Sequence, residues 1–169
     1  YALEWSNRII SRAHLVRLNF DPRPSSELPL VLECESMWPP KEQHGAWIWP
    51  VWLQQTPCAS RGRGLRYLNP QRNPEGSVTL ALPNRALAGR LLVPWISAIE
   101  SQSPPQATSR LLLQSGKKTL QSWDVNGSTK DKCLNLKAFA VPNDAQRLSL
   151  RIEGNLPFAL DRLELTRKR

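Results

Sequence analysis

The chain has 169 residues, 40% hydrophobic and 22% charged, with 23 Lys and Arg against 14 Asp and Glu for a formal charge of +9. That length suits one domain burying roughly 70% of its unfolded surface, and the apolar content excludes intrinsic disorder. No apolar run reaches the about 18 residues of a membrane helix, and no block of roughly five like charges marks a nucleic-acid arm.

Fifteen prolines and few helical patterns argue for strands. The chain opens on Tyr1, so it is expected to be a piece of a longer protein, and the missing signal peptide says nothing about location. In HLVRLNF, Val16, Leu18 and Phe20 share one face. In LPLVLEC, Leu28, Leu30, Leu32 and Cys34 oppose Val31 and Glu33. A strand is expected over Ala46–Leu53, followed by a long irregular stretch, Thr56–Gly76, broken by Gly62, Gly64, Pro70 and Pro74 and decorated by Arg61, Arg63, Arg66 and Arg72. Loops of this length in compact domains are functional or disordered, and these arginines are expected in solvent, open to anions.

SVTLALP then groups Val78, Leu80 and Leu82, and a short helical turn is expected near Asn84–Ala88. Further strands are expected at Arg90–Ile96, Ser109–Gln114, Thr119–Val125, Leu134–Val141 and Phe158–Thr166, separated by turns such as Ser115-Gly116-Lys117. Asn126-Gly127 reads as a hairpin turn, and also as part of a glycosylation sequon in a secreted eukaryotic context. In RLSLRIEG, Leu148, Leu150 and Ile152 face in while Arg147, Ser149, Arg151 and Glu153 face out. About ten short strands at this spacing read as an all-β, antiparallel two-sheet β-sandwich of one domain, residues 1–169.

The run LNLKAFAVPNDAQRLSLRIEGNLPFALDRLELT lays out a strand, a VP-x-x-A turn, the RLSLRIEG strand and a closing strand. This layout resembles the C-terminal half of jelly-roll carbohydrate-binding modules and related galactose-binding-like domains. ISRAHLVRLNFDPRP is similar to the second strand of that fold. The resemblance implies a jelly roll and a non-catalytic role in glycan recognition or in bracing a larger protein. It also implies a structural calcium ion held by an acid of the closing strand, which places Asp161 at the site with Glu4 as partner; pairing of Asp161 with Arg162 or Arg151 is the plainer alternative.

Four of the seven tryptophans fall within Trp38–Trp52. In AWIWPVW, alternation puts Trp47, Trp49 and Val51 on one face and Ile48, Pro50 and Trp52 on the other, so both faces are apolar. Pro50 removes a ladder donor, which predicts an edge strand. Core packing is the commoner fate for Trp47 and Trp49, whereas Trp38 and Trp52 read as the exposed pair. Trp5, Trp95 and Trp123 are expected in the core. Stacking of sugar C–H groups on indole makes Trp38, Trp47, Trp49 and Trp52 candidate ligand-binding residues, with Gln54, Arg61, Arg63 and Arg66 as polar partners.

The three cysteines allow a Cys34–Cys58 bridge worth about 3 kcal/mol, but small buried hydrophobes are the favoured reading of all three, Cys133 included. No Cys-x₂-Cys or His-x₃-His spacing supports zinc. His14 and His44 lack a nucleophile or carboxylate at motif spacing, and no nucleophile elbow, phosphate loop or dinucleotide fingerprint occurs, so no enzyme is expected. The expected partner is a glycan or anionic polysaccharide outside the cytoplasm. A neighbouring domain of a larger polysaccharide-handling protein is the alternative, and a membrane surface also fits the charge. Single-stranded nucleic acid is disfavoured, because the basic residues share no predicted strand face.

Overall fold

The computed structural model describes residues 30–52, 63–70, 73, 75–99, 107–126 and 134–167. The expected strand at residues 14–20 lies outside these, as do Glu4, Trp5, Gln54, Cys58, Arg61 and Cys133. In chain order the described strands are β1 (Leu30–Glu33), β2 (Glu42–His44), β3 (Trp47–Trp52), β4 (Arg63–Leu68), β5 (Ser77–Ala81) and β6 (Arg90–Ile99). They continue with β7 (Thr108–Ser115), β8 (Lys118–Asn126), β9 (Leu134–Asn135), β10 (Phe139–Ala140), β11 (Leu148–Gly154) and β12 (Phe158–Arg167). A 3-10 turn spans Cys34–Met37 and one short helix, α1, spans Asn84–Leu87.

The strands pair into two antiparallel sheets, which makes the protein an all-β jelly-roll sandwich. The larger sheet runs β10-β6-β12-β4-β3, with β9 also on β6 and β1 also on β12. The smaller runs β2-β5-β11-β7-β8. β12 is the spine of the larger sheet: one side pairs with β6 along its whole length. Its other side pairs first with β4, over Phe158–Leu160, then with β1, over Arg162–Leu165. The ladder to β6 shifts register between Leu160 and Arg162, so the bulge at Asp161 lies where β4 gives way to β1.

The period-2 pattern decides what faces inward. Leu32, Leu65, Tyr67, Leu92, Ile96, Phe158, Leu160, Leu163 and Leu165 line the larger sheet's inner face; Val78, Leu80, Leu111, Leu113, Leu150 and Ile152 line the smaller's. Each fully buried aliphatic or aromatic side chain contributes about 1.5–3 kcal/mol. Trp123 joins this core as expected, edge-on to Phe139 at 6.5 Å, and its indole N–H donates to the Lys137 carbonyl at 2.7 Å. Ser115-Gly116-Lys117 forms the β7–β8 turn, with Gly116 at φ +59°.

Four local expectations are corrected. Residues 63–68, placed in an irregular stretch, form β4, an interior strand between β3 and β12 whose Leu65 and Tyr67 are completely buried. Gly62 and Gly64 disguise the alternation in RGLRYL, and burial of two large side chains outweighs glycine's poor strand propensity. The single strand expected over Leu134–Val141 is split into β9 and β10. Both pair with β6 on either side of Pro94, which has no N–H to donate; there Leu136 N–H alone bonds the Pro94 carbonyl, at 2.9 Å. Ser149 is buried rather than outward in solvent. Trp95 lies on the outer face of the larger sheet rather than in the core, half-buried.

A buried polar lock ties the segment after β4 to the end of β11. Asn69 is 3% exposed; its Nδ2 donates to the carbonyls of Asn73 (2.8 Å) and Gly154 (2.9 Å), and its Oδ1 accepts from Asn73 N–H (3.1 Å). The Tyr67 hydroxyl donates to the same Gly154 carbonyl at 2.9 Å. Burial, helped by the Glu153 charge, pushes the Tyr67 hydroxyl pKa well up, so it remains a donor. Gly154 is required by a φ of +112° and because a Cβ would stand 2.5 Å from the Thr108 carbonyl. Asn69→Ala strips three hydrogen bonds from a buried site and is expected to destabilise the fold by about 1–3 kcal/mol, read as a lower urea midpoint at unchanged slope.

Candidate functional site

Among the described strands β3 occupies the rim of the larger sheet, as the proline within it predicted. Ile48, 4% exposed, anchors the strand in the core opposite Tyr67. On the outward side, Trp47 is 54% exposed and Trp49 is half-buried. Trp52 shares its parity with Ile48, yet its ring is 65% exposed. Trp38 is 50% exposed on the segment entering β2, in the other sheet. The expected pair, Trp38 and Trp52, is therefore in solvent, and Trp47 joins it where core packing was expected.

Register delivers two arginines to these rings. Trp49 pairs with Arg66 and Trp52 with Arg63. The Arg63 guanidinium carbon lies 4.1 Å from the Trp52 ring centroid, and that of Arg66 lies 5.6 Å from the Trp49 ring. Both fall within the about 6 Å range of cation–π attraction, worth about 0.5–1 kcal/mol at exposed sites. Trp47 and Trp49 are two residues apart on one side of the strand, about 7 Å along it. The rim thus offers indoles of which two carry a guanidinium over one face, and Arg63 makes no ion pair among the described residues.

A third stacked pair lies further into the outer face. Arg162 sits 4.2 Å over the Trp95 ring, its register partner. Its guanidinium also bonds the Asp161 carboxylate and, at 2.9 Å, that of Glu164. This arginine is held by its neighbours and is not presented to an external anion. The pairing of Asp161 with Arg162 is the plainer of the two alternatives for that acid. Among the described residues no group of three His, Cys, Asp or Glu is arranged to hold a metal ion, and Glu4 lies outside them.

Beside this bulge, Cys34 is a free, fully buried thiol. Burial, then the nearby Asp161, Glu35 and Glu33 carboxylates, raise its pKa well above the ordinary thiol value. Glu35 is also raised, chiefly by burial, and one of its carboxylate oxygens is sealed from water without a hydrogen bond. The folded state therefore favours neutral Glu35: its contribution is complete below the ordinary glutamate range and is lost as pH rises through the raised value.

No protein-family model matches this chain, and no curated protein matches it. Solved structures do. An exo-beta-1,3-galactanase from Phanerochaete chrysosporium, with galactose, superimposes at a TM-score of 0.51 and 12% identity over 83% of this chain. What they share is a fold. This chain spans about 30% of the length of that galactanase chain. The C-terminal family 22 carbohydrate binding module of Clostridium thermocellum Xyn10B gives 0.47 at 17% identity, covering 73% of this chain and 81% of that one. CsCBM6-3 from Clostridium stercorarium, in complex with cellobiose, gives 0.49 at 13% identity, covering 82% and 93%. The strand layout read from the sequence anticipated this jelly-roll likeness.

Among the candidate residues, the structure brings Trp47, Trp49, Trp52, Arg63 and Arg66 together on β3 and β4. It separates Trp38, in the approach to β2, and Asp161, in the bulge of β12. Sequence reading missed that Arg63 and Arg66 are register partners of tryptophans; the buried-type alternation of Leu65 and Tyr67 was the available signal. Glu35→Gln is expected to raise the melting temperature relative to the parent protein, with the advantage growing from about pH 4 to about pH 7. A constant difference across that range would refute the assignment.

Proposed function

We propose that this domain is a non-catalytic carbohydrate-binding or accessory module, engaging an extracytoplasmic polysaccharide through the β3 rim. One observation carries the reading: Trp47, Trp49 and Trp52 stand on an edge strand in solvent or half so, with arginines stacked on two of them. Large exposed indoles are unfavourable in water unless something covers them. Pyranose C–H faces stack on such rings while hydroxyls or carboxylates take hydrogen bonds from the adjacent guanidinium. Carriage by a larger polysaccharide-handling protein of the cell envelope or outside the cell belongs to the same proposal. It rests on this rim rather than on the shared fold.

A second reading follows from the same strand. β3 has no partner on its outer side among the described residues, so a sister domain could add a strand there and cover the tryptophans. In that case the isolated domain binds no sugar.

Affinity electrophoresis in gels containing neutral or uronic-acid polysaccharides separates these readings. Retardation that survives moderate salt is expected, with Trp52→Ala and Trp49→Ala each weakening binding about tenfold, or about 1.4 kcal/mol. Absence of retardation in every gel sinks glycan binding, and binding to single-stranded DNA that collapses with salt would reassign the rim to nucleic acid.

A further inference from the structure

The smaller sheet carries a cleft of about 790 Å³ that contains none of the tryptophans. One wall is β2 and the residue after it, Gln43, His44 and Gly45; the other is Asn73 and Glu75; Ser77 and Arg151 line it between them. Both walls are held by the fold. The Asn73 side is pinned through its main chain by buried Asn69, and Asn73 Oδ1 accepts from Glu75 N–H at 2.9 Å. On the opposite side β2 pairs with β5, His44 against Ser77, and Gly45 makes a further bridge to Ser77. Gly45 has a φ of +60°, which favours glycine, and a Cβ there would press on the Asn73 side-chain amide at 2.9 Å.

The chemistry of the lining selects the ligand. Gln43 and Asn73 each supply amide donors and an acceptor, Glu75 accepts, and the Arg151 guanidinium donates. The Arg151 side chain is 40% exposed; its ion pair to Glu153 is long, 3.5 Å, and its Nε is sealed from water without a hydrogen-bond acceptor. Arg151 is paired with Glu153 and Glu75 adds a further carboxylate, which disfavours a strongly anionic guest. No Trp, Tyr or Phe lines the cleft, and its one aromatic ring is the polar imidazole of His44, so it offers no broad apolar face for stacking. A carboxylate accepting from two hydroxyls and a guanidinium donating to two are the groups that read a vicinal diol.

We propose that this cleft is a second binding site, for a neutral hydroxyl-rich ligand: the terminal residue of an oligosaccharide, held by its hydroxyls rather than by ring stacking. It stands apart from the tryptophan rim and does not depend on that reading. The two sites share one flank. Gly45 and Ala46 carry the chain from β2 to β3, and His44 and Trp47 are three positions apart, so their Cα atoms are at most about 11 Å apart.

Titration of the ¹⁵N-labelled protein with the methyl glycosides of glucose, galactose, mannose and xylose, followed by amide NMR, tests the site. At least one sugar is expected to give saturable shifts at Gln43, His44, Gly45, Ser77 and Arg151, with a Kd of about 1 mM or weaker. Arg151→Met and Gln43→Ala are each expected to weaken that affinity about tenfold. Gln43 is exposed on an edge strand, so its variant remains informative if Arg151→Met fails to fold. No saturable shift at these amides, shifts confined to Trp47, Trp49 and Trp52, or an unchanged Kd in the folded variants would each overturn the proposal.

Discussion

A strand that is apolar on both faces cannot satisfy both of them in a two-layer sandwich, because each sheet has only one interior. β3 is such a strand. Ile48 takes the inner side, packed over Tyr67, and the indoles of Trp47 and Trp49 are left outside. Pro50 compounds this by removing an N–H, which a central strand would need and an edge strand does not. The rim position, the exposed rings and the proposed role all descend from that conflict.

β4 converts an apolar rim into a chemically mixed one. It is held in the sheet by Leu65 and Tyr67, and the side chains that flank them are arginines. Cross-strand register then sets a guanidinium against Trp49 and another against Trp52. Arg162 repeats the arrangement over Trp95 on the outer face of the same sheet. There Asp161 and Glu164 engage the cation, and the pair serves the outer face of the sheet rather than a ligand.

Electrostatics distinguishes the two proposed sites. At the rim, stacked arginines on a chain of charge +9 suit the proposed polysaccharide ligand where it carries acidic groups. The proposed cleft between β2 and Asn73 is lined by amides, a carboxylate and an arginine already paired with Glu153, groups suited to hydroxyls. The polar lock of Asn69 and Tyr67 on Gly154 connects the two, since Tyr67 belongs to the strand that carries the rim arginines and Asn69 follows it directly.

The sequence by itself determined the sandwich, because period-2 alternation in LVLE, SVTLA, LSLRIEG and FALDRLELT records which side of each strand meets apolar surface. It also placed β3 at an edge, through one proline. Tertiary structure alone decided that RGLRYL is an interior strand, that Trp95 lies outside under Arg162, and that Trp52 clears the core although its parity points inward. Alternation reports a side, not how far the opposing sheet extends, nor which residue of a distant strand stands opposite. Those follow from register and from where one layer ends, and neither is written in any local stretch of the chain.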